Sequence, residues 1–371
     1  MKIGTDQYNT FDTMTMDCWN DRVYYEGKEF PAGHFAAEIL NFAGVIHDPL
    51  LERITVLTAL VDDLSTAEKS KRHDVAAQLK SLLHDTVSWL YTCPPFCYCE
   101  SQGAYEDLEH ALSEERLDRD YEEKEEHLPY LALSFSEPIL RILVAIYNFC
   151  LLIRAFEMKY LRRLKRRNAD AFAKAAHECF DEDDSFLILL EQMPFGGVEE
   201  FFSYPRIITG FNYFQDENDE EKWKTAQRVI CKRAIDFYVF DLMNGLHHGH
   251  APSQCQGCGR YFLTTNGHIP KYCDGIAPQD SRYTCRQYGA MMHQKEQNKQ
   301  HPVYRLLNTR TDTIRKHHWR GKISDEQRRE ALYLAGSYRD KALMDNDYAA
   351  DGYARDMELE HIYAEAEKRL K

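Results

Sequence analysis

Four cysteines in the second half of the chain constrain its fold more than any other feature. The set comprises Cys255, Cys258, Cys273 and Cys285. A Cys-x2-Cys pair is thus followed by a third cysteine after fourteen residues and by a fourth after eleven more. Structural zinc sites hold the ion in a tetrahedron of four ligands, and cysteine thiolates serve this purpose well. The spacing therefore predicts one structural Zn²⁺ ion bound by these four side chains.

The residues around the cysteines predict how the backbone delivers them. Gly257 and Gly259 in "CQGCGRYF" allow a tight fold in which amides point at the thiolates, and Tyr261 then starts a strand. The segment "KYC" is predicted to be a returning strand that ends at Cys273, and "DGIAPQDSRYT" is predicted to be a loop. Cys285 would open a helix, where the helix dipole favours a thiolate. This arrangement resembles a treble clef.

Other roles for the cluster are not excluded by the residues alone. The four thiols could be unrelated buried side chains, or the Cys-x2-Cys pair could be redox-active, although no thioredoxin-like pattern surrounds it. A nearby histidine could replace one cysteine; the candidates are His247, His248, His250 and His268. A closed four-thiolate site leaves no open position for water, so catalysis at the metal is not expected.

The other cysteines and the start of the chain predict a cytoplasmic protein. The chain has 11 cysteines, and its opening, "MKIGTDQYNTF", lacks the pattern of a signal peptide. Disulfides are rare in reducing compartments, so reduced thiols and metal ligands are expected. The most apolar segment, "ILVAIYNFCLLI" at residues 142–153, is about half a membrane span and contains Asn148, which predicts a core helix and no membrane partner.

Hydrophobic periodicity predicts a mainly α-helical chain with a small β element near its N-terminus. Residues 8–30 have the pattern of short strands, with a turn at Glu26 and Gly27. From Pro31 onward, apolar residues recur at helical spacing. Residues 204–214 are predicted to be extended. A helix is predicted over residues 220–245, because one stripe would hold Trp223, Ala226, Ile230, Ala234, Phe237 and Phe240.

Three segments follow from these elements. We predict an acidic, mainly helical body over residues 1–245, a four-cysteine zinc-knuckle module over 246–300, and a basic-to-acidic helical tail over 301–371. In the tail, one helix is predicted over 303–319, and the next starts at Ser324, with Gln327 at the capping-box position. The fold class is therefore mainly α, with a treble-clef-like knuckle between two helical parts.

Two charged runs and a second group of cysteines have simple structural explanations. Residues 100–126 contain 12 Asp or Glu against three basic residues, as expected of a solvated helix face or an insert. The basic segment "KYLRRLKRR" at 159–167 could bind phosphate or lipid, but neutralising the acidic run is the favoured interpretation. Cys93, Cys97 and Cys99 are poorly spaced for one zinc ion and fit a partly buried loop.

The charge distribution suggests a nucleic-acid surface on the zinc module. Residues 251–330 contain 14 Lys or Arg and 7 Asp or Glu, a net charge of +7 in a chain whose net charge is −14. Basic side chains bind phosphates, and interleaved tyrosines can stack on bases. The candidate contacts are Arg260, Lys271, Arg282, Arg286, Arg305, Arg310 and Arg315. The alternative is that the tyrosines form the core of a small zinc module.

These motifs resemble those of the CGNR zinc-finger family of bacterial proteins. The resemblance rests on "CQGCGRYF", "KYC" and "TCRQYGA", and it covers about 40 residues strongly. It implies a helical N-terminal domain, a structural zinc knuckle and a role in nucleic-acid binding. The chain departs from the family after Cys285, where Arg286-Gln287-Tyr288 replaces Gly-Asn-Arg. The layout also resembles an uncharacterised bacterial family known only as a domain of unknown function.

Two hypotheses for function follow. The first is a zinc-containing regulator that binds DNA or RNA. The alternative is a zinc-stapled protein-interaction protein, of a stress or defence type, that binds a protein partner. The sequence contains no P-loop, no Rossmann glycine pattern, no His-Glu-x-x-His and no Gly-x-Ser-x-Gly, so no enzymatic activity is predicted.

Overall fold

The structure is a computed structural model that describes most of the chain. The described residues are 13–68, 71–99, 102–113, 115, 130–191, 207–216, 219–265, 267 and 271–371. They form a mainly helical protein with small sheets, as predicted for the fold class. The chain divides into two compact units, Met1–Lys271 and Tyr272–Lys371.

The first unit contains a five-stranded antiparallel sheet with the order β3-β2-β1-β5-β4. Its strands are β1 (Met14–Trp19), β2 (Arg22–Tyr25), β3 (Lys28–Pro31), β4 (Ile207–Asp216) and β5 (Asp219–Cys231). The predicted turn is confirmed: Glu26 and Gly27 adopt φ angles of 47° and 70° between β2 and β3. The predicted extended segment near residue 207 is β4, which pairs with β5 along its length.

The predicted helix over residues 220–245 is wrong in its first half. Asp219–Cys231 is the strand β5, and the helix α7 runs only over Ala234–His247. The apolar residues of β5 are shared between two faces of the sheet: Val229 packs into the main core, whereas Ala226 packs on the opposite face with Phe214. Burial on both faces breaks the two-residue alternation of a strand, which is why the pattern imitates a helical stripe.

Helices pack against this sheet to form the main core of the first unit. Besides α7 they are α1 (His34–Thr66), α2 (Arg72–Leu90), α3 (Gln102–Ala111), α4 (Tyr130–Lys159), α5 (Ala169–His177) and α6 (Asp184–Glu191). By length and composition the stretch Phe135–Arg163 could cross a membrane, but 72% of its most apolar window is buried inside the protein. The prediction that residues 142–153 form a buried core helix is therefore confirmed.

The N-terminus of α1 is capped by a carboxylate from a distant part of the chain. Asp241, on α7, accepts hydrogen bonds from the backbone N–H groups of Gly33 (2.9 Å) and Ala36 (2.9 Å). Gly33 has a φ of 85°, and a Cβ at Gly245 would lie 2.8 Å from the Gly33 Cα. The two glycines therefore allow the close contact that places the Asp241 carboxyl group on the end of α1.

The Asp241 carboxyl should make stability depend on pH. Burial raises its pKa from 3.8 to about 7 and outweighs the opposing effect of the backbone N–H groups. A carboxyl whose pKa is higher in the folded chain binds its proton more tightly there than in the unfolded chain. The stabilisation that comes from this proton binding is full below pH 4 and is lost as the pH rises through 7. Between pH 5 and pH 7 we expect a loss of about 2 kcal/mol that is absent from Asp241→Asn. Urea unfolding of both proteins at the two pH values measures the difference. An equal change in the free energy of unfolding in the wild-type chain and in Asp241→Asn would contradict the prediction.

The second unit has a core of its own. After the short hairpin of β8 (Ile276–Ala277) and β9 (Asp280–Thr284) come the helices α8 (Cys285–Gln300), α9 (Pro302–Trp319), α10 (Asp325–Met344), α11 (Tyr353–Asp356) and α12 (Leu359–Leu370). Ile314, Leu334 and Ile362 are buried together in this core. The predicted capping box is confirmed, because the side chains of Ser324 and Gln327 each accept the backbone N–H of the other residue.

Of the two charged runs, the basic segment at 159–167 is described in full and the acidic run only in part. Much of the acidic run at 100–126 lies outside the described residues. In the basic segment, Arg162 donates to the buried carboxylate of Glu157 (2.8 Å), and Lys159 lies 3.7 Å from Asp183. These two cations are therefore paired with acidic residues outside the acidic run, one of them 5 residues away and the other 24 residues away.

Candidate metal centre

The first two cysteines lie in a tight turn between two short strands. The strands β6 (Ala251–Gln254) and β7 (Tyr261–Thr264) are antiparallel, as predicted for the segment that starts at Tyr261. The Gly257 N–H donates to the Cys255 Sγ at 3.4 Å, which confirms the predicted amide-to-sulfur contact. Gly259 has a different role: its φ is 74° and its N–H donates to the Cys255 carbonyl at 2.9 Å, closing the turn.

The other two cysteines are delivered differently from the prediction. "KYC" is not a strand, and the predicted loop after Cys273 contains the hairpin of β8 and β9. Cys285 does open a helix, as predicted, and Thr284 caps that helix by accepting the Gln287 N–H at 3.2 Å. The Arg286 N–H donates to the Cys273 carbonyl at 3.0 Å, so the backbone holds the two cysteines together. The eleven residues between these two cysteines therefore form a hairpin and not an irregular loop.

The four sulfur atoms lie close together. The Sγ atoms of the predicted set all lie within 4.8 Å of one another, and three of the four side chains are buried while Cys258 is half-buried. Four thiolates at the ordinary Zn–S distance of about 2.3 Å stand about 3.8 Å apart in a tetrahedron, so the cluster is of the right size to bind one ion. The prediction that these four cysteines come together is confirmed, in an arrangement consistent with a metal site; metal binding and the identity of the metal stay predictions.

The described residues contain no other grouping that would bind a metal ion. His250 is buried, and its Nδ1 lies 2.9 Å from the Ala32 carbonyl oxygen, so it supports the turn before α1. His247 and His248 contact each other, with ring centroids 5.0 Å apart. His268 lies outside the described residues. The described histidines therefore do not replace any of the four cysteines.

The Tyr272 ring packs against Gly289. A Cβ at Gly289 would lie 2.4 to 2.6 Å from the Tyr272 ring, so the ring lies directly against the backbone of α8. A glycine inside a helix costs about 1 kcal/mol relative to alanine, and close packing of this kind justifies it. Sequence reasoning missed this contact, although a glycine in the middle of "CRQYGAMM" was a signal for it.

Several of the predicted nucleic-acid contacts are paired with carboxylates. Arg282 donates to both oxygens of Asp280 (3.0 and 2.7 Å) and holds the pKa of that carboxyl at about 2. Arg286 lies 3.0 Å from Asp274. Each of these carboxylates reduces the positive charge that a phosphate group would encounter.

The three arginines predicted on one helix do not share a face. Arg305, Arg310 and Arg315 lie on α9 at intervals of five residues. Because an α-helix advances about 100° per residue, each interval turns the side chain by about 140°. The three side chains therefore point to different sides of α9, and Arg315 also lies 3.3 Å from Asp312.

The remaining two predicted contacts lie in the first unit. Arg260 is exposed and lines a cleft of about 310 Å³ with Arg154 and Tyr261. Tyr261 is tied to Asn41 by two hydrogen bonds, of 2.6 and 2.9 Å, and the Arg154 guanidinium lies 5.8 Å from its ring centroid. Lys271 is exposed. Tyr261 is thus part of the packing of β7 against α1, not a free stacking platform.

A match to a protein family covers all four cysteines. Residues 203–369 contain a DUF6076 domain, described as a family of unknown function. The DUF6076 domain runs from β4 to α12 and includes the four-cysteine cluster. It agrees with the predicted resemblance to a domain of unknown function, and the resemblance to CGNR zinc fingers stays a prediction. No curated protein and no solved structure matches the chain significantly.

Proposed function

We propose that the DUF6076 domain of this chain binds one structural Zn²⁺ ion through Cys255, Cys258, Cys273 and Cys285. The observation that carries the proposal is the convergence of four thiols, three of them buried, within 4.8 Å. Four thiolates complete a tetrahedral shell and leave no position for a substrate or a reactive water, so the ion would stabilise the fold and not catalyse a reaction. A four-sulfur tetrahedron also suits iron, which the experiment must distinguish from zinc.

We further propose a zinc-stapled interaction protein that works in the cytoplasm and binds a protein partner. A protein partner is favoured over nucleic acid because three of the seven predicted phosphate contacts are paired with acids and the arginines of α9 diverge. All eleven cysteines lie among the described residues and none of them forms a disulfide, as suits a reducing compartment.

Metal analysis of the purified full-length chain tests the zinc site. We expect about one zinc atom and no iron per chain, retained through dialysis at neutral pH. Zinc well below one atom per chain, or iron at that stoichiometry, would contradict the proposal. Affinity capture from cells then tests the interaction role, with Cys258→Ser as the bait that has lost the staple.

A salt titration tests the competing nucleic-acid hypothesis. Non-specific binding to DNA strengthens steeply as salt is lowered, because binding releases counterions from the phosphates. For this chain we expect dissociation constants weaker than about 100 µM for DNA and RNA oligonucleotides even at low salt. Micromolar binding that weakens with added salt, and weakens further in Arg260→Glu, would favour the nucleic-acid regulator instead.

A further inference from the structure

The two edges of the five-stranded sheet are protected to very different degrees. One edge is β3, which has only four residues and carries Lys28, Glu29 and Pro31. Short length, charges and proline are the usual devices that prevent an edge strand from pairing with another chain. The other edge is β4, which has ten residues and neither charge nor proline from Ile207 to Gln215.

Three large side chains of β4 are also unusually exposed. Among the described residues, β4 pairs with β5 alone. Ile208 is 53% exposed, Phe211 73% and Tyr213 66%. A Cβ added at Gly210 would have no atom within 4 Å. A long, uncharged and apolar edge is a template for strand addition.

We propose that β4 pairs antiparallel with β4 of a second copy of this chain, giving a two-fold symmetric dimer with a continuous sheet. The inference deepens the proposed interaction function and rests on it, by naming the protein partner. A two-fold interface brings the same residues together, and this requires a strand that is compatible with itself. The uncharged residues of β4 meet that requirement, because no like charges would face each other.

The charges beyond the strand select the antiparallel direction and this partner. The hairpin end where β4 meets β5 is acidic: Asp216 ends β4, and Asp219 and Glu221 lie at the start of β5. In an antiparallel pair centred near Phe211, the acidic ends lie about five residues to either side, or about 34 Å apart at 3.4 Å per residue. This separation exceeds the Debye length of about 8 Å, so the ends do not repel each other. A parallel pair would place them side by side, and a nucleic acid would be repelled by the same hairpin end.

An antiparallel β4 pair centred near Phe211 also covers the exposed side chains. Residues directly opposite in an antiparallel pair lie on the same face of the sheet. Phe211 would face Phe211 of the second copy, and Thr209 would face Tyr213 of the second copy. Aromatic and β-branched cross-strand pairs of this kind stabilise sheets.

Sedimentation equilibrium of the full-length chain, compared with Phe211→Lys and Trp223→Lys, tests the proposal. The wild-type chain should be a dimer at micromolar concentration. Phe211→Lys places two like charges at the two-fold axis and should weaken the dimer at least tenfold. Trp223 is the matched control: it is 67% exposed but lies on β5, next to the edge strand. Its replacement should change the dissociation constant by less than about threefold, because strand pairing at β4 does not use it.

The outcomes separate this inference from the metal proposal. A wild-type chain that is monomeric at 100 µM and contains one zinc atom would overturn the pairing and leave the zinc site standing. Equal losses in the two lysine variants would also overturn it, because they would indicate docking on the aromatic face and not at the edge. A dimer of wild-type chains without zinc would support the pairing and contradict the metal site. Circular dichroism of each variant shows whether it is folded.

Discussion

Replacing Cys273 with serine is expected to remove the metal and to unfold the segment between Cys255 and Cys285. Serine is a poor zinc ligand, and three thiolates cannot close the shell. In small zinc modules the free energy of metal binding, about 10–16 kcal/mol at neutral pH, is also the free energy of folding. The zinc content should fall from about one atom per chain to near zero. Hydrogen exchange should show the backbone bonds Gly259 N–H to Cys255 and Arg286 N–H to Cys273 losing protection.

Cys97→Ser is the matched control for this prediction. Cys97 is exposed and lies outside the four-sulfur cluster. Its replacement should leave both the zinc content and the exchange pattern unchanged. If Cys273→Ser kept its metal, or lost the metal with no change in protection near residue 259, the cluster would not staple the fold.

The four-cysteine cluster was the most predictable part of this protein. Its four cysteines lie within 31 residues, and glycines, a strand and a helix start sit among them in an order that local rules describe. What local rules missed was the hairpin of β8 and β9, because "IAPQDSRYT" contains turn-forming residues that suit a loop equally well. The four cysteines hold both ends of this segment, so a weak hairpin suffices between them.

Elements whose partners are remote were harder to predict. β5 was read as a helix because its core contacts come from two faces and because one of its two neighbours in the sheet, β1, is the first strand of the chain. The divergence of Arg305, Arg310 and Arg315 was, in contrast, available from their spacing alone. Charge counts over a segment predict net attraction but not a shared face.

Replacing Asp241 with alanine is expected to destabilise the first unit strongly. The carboxylate lies 208 residues from Gly33 along the chain, which is why its capping of α1 could not be predicted from sequence. Without it, the N–H groups of Gly33 and Ala36 stay buried with no acceptor, at about 1–3 kcal/mol each. We expect the free energy of unfolding to fall by about 2–6 kcal/mol in urea titrations, a large fraction of the roughly 5–15 kcal/mol typical of a folded domain.

Asn244→Ala, on the same helix α7, distinguishes this cap from general damage to α7. Asn244 is half-buried, and its side-chain amide donates to the Cys18 Sγ at 3.8 Å, a weak bond to sulfur. Its loss should cost about 1 kcal/mol or less. If both substitutions cost the same, the two N–H groups would have found water or another acceptor, and the stability of α1 would not depend on the carboxylate. A larger loss for Asp241→Ala, accompanied by faster amide exchange in the first turn of α1 alone, ties the effect to the cap.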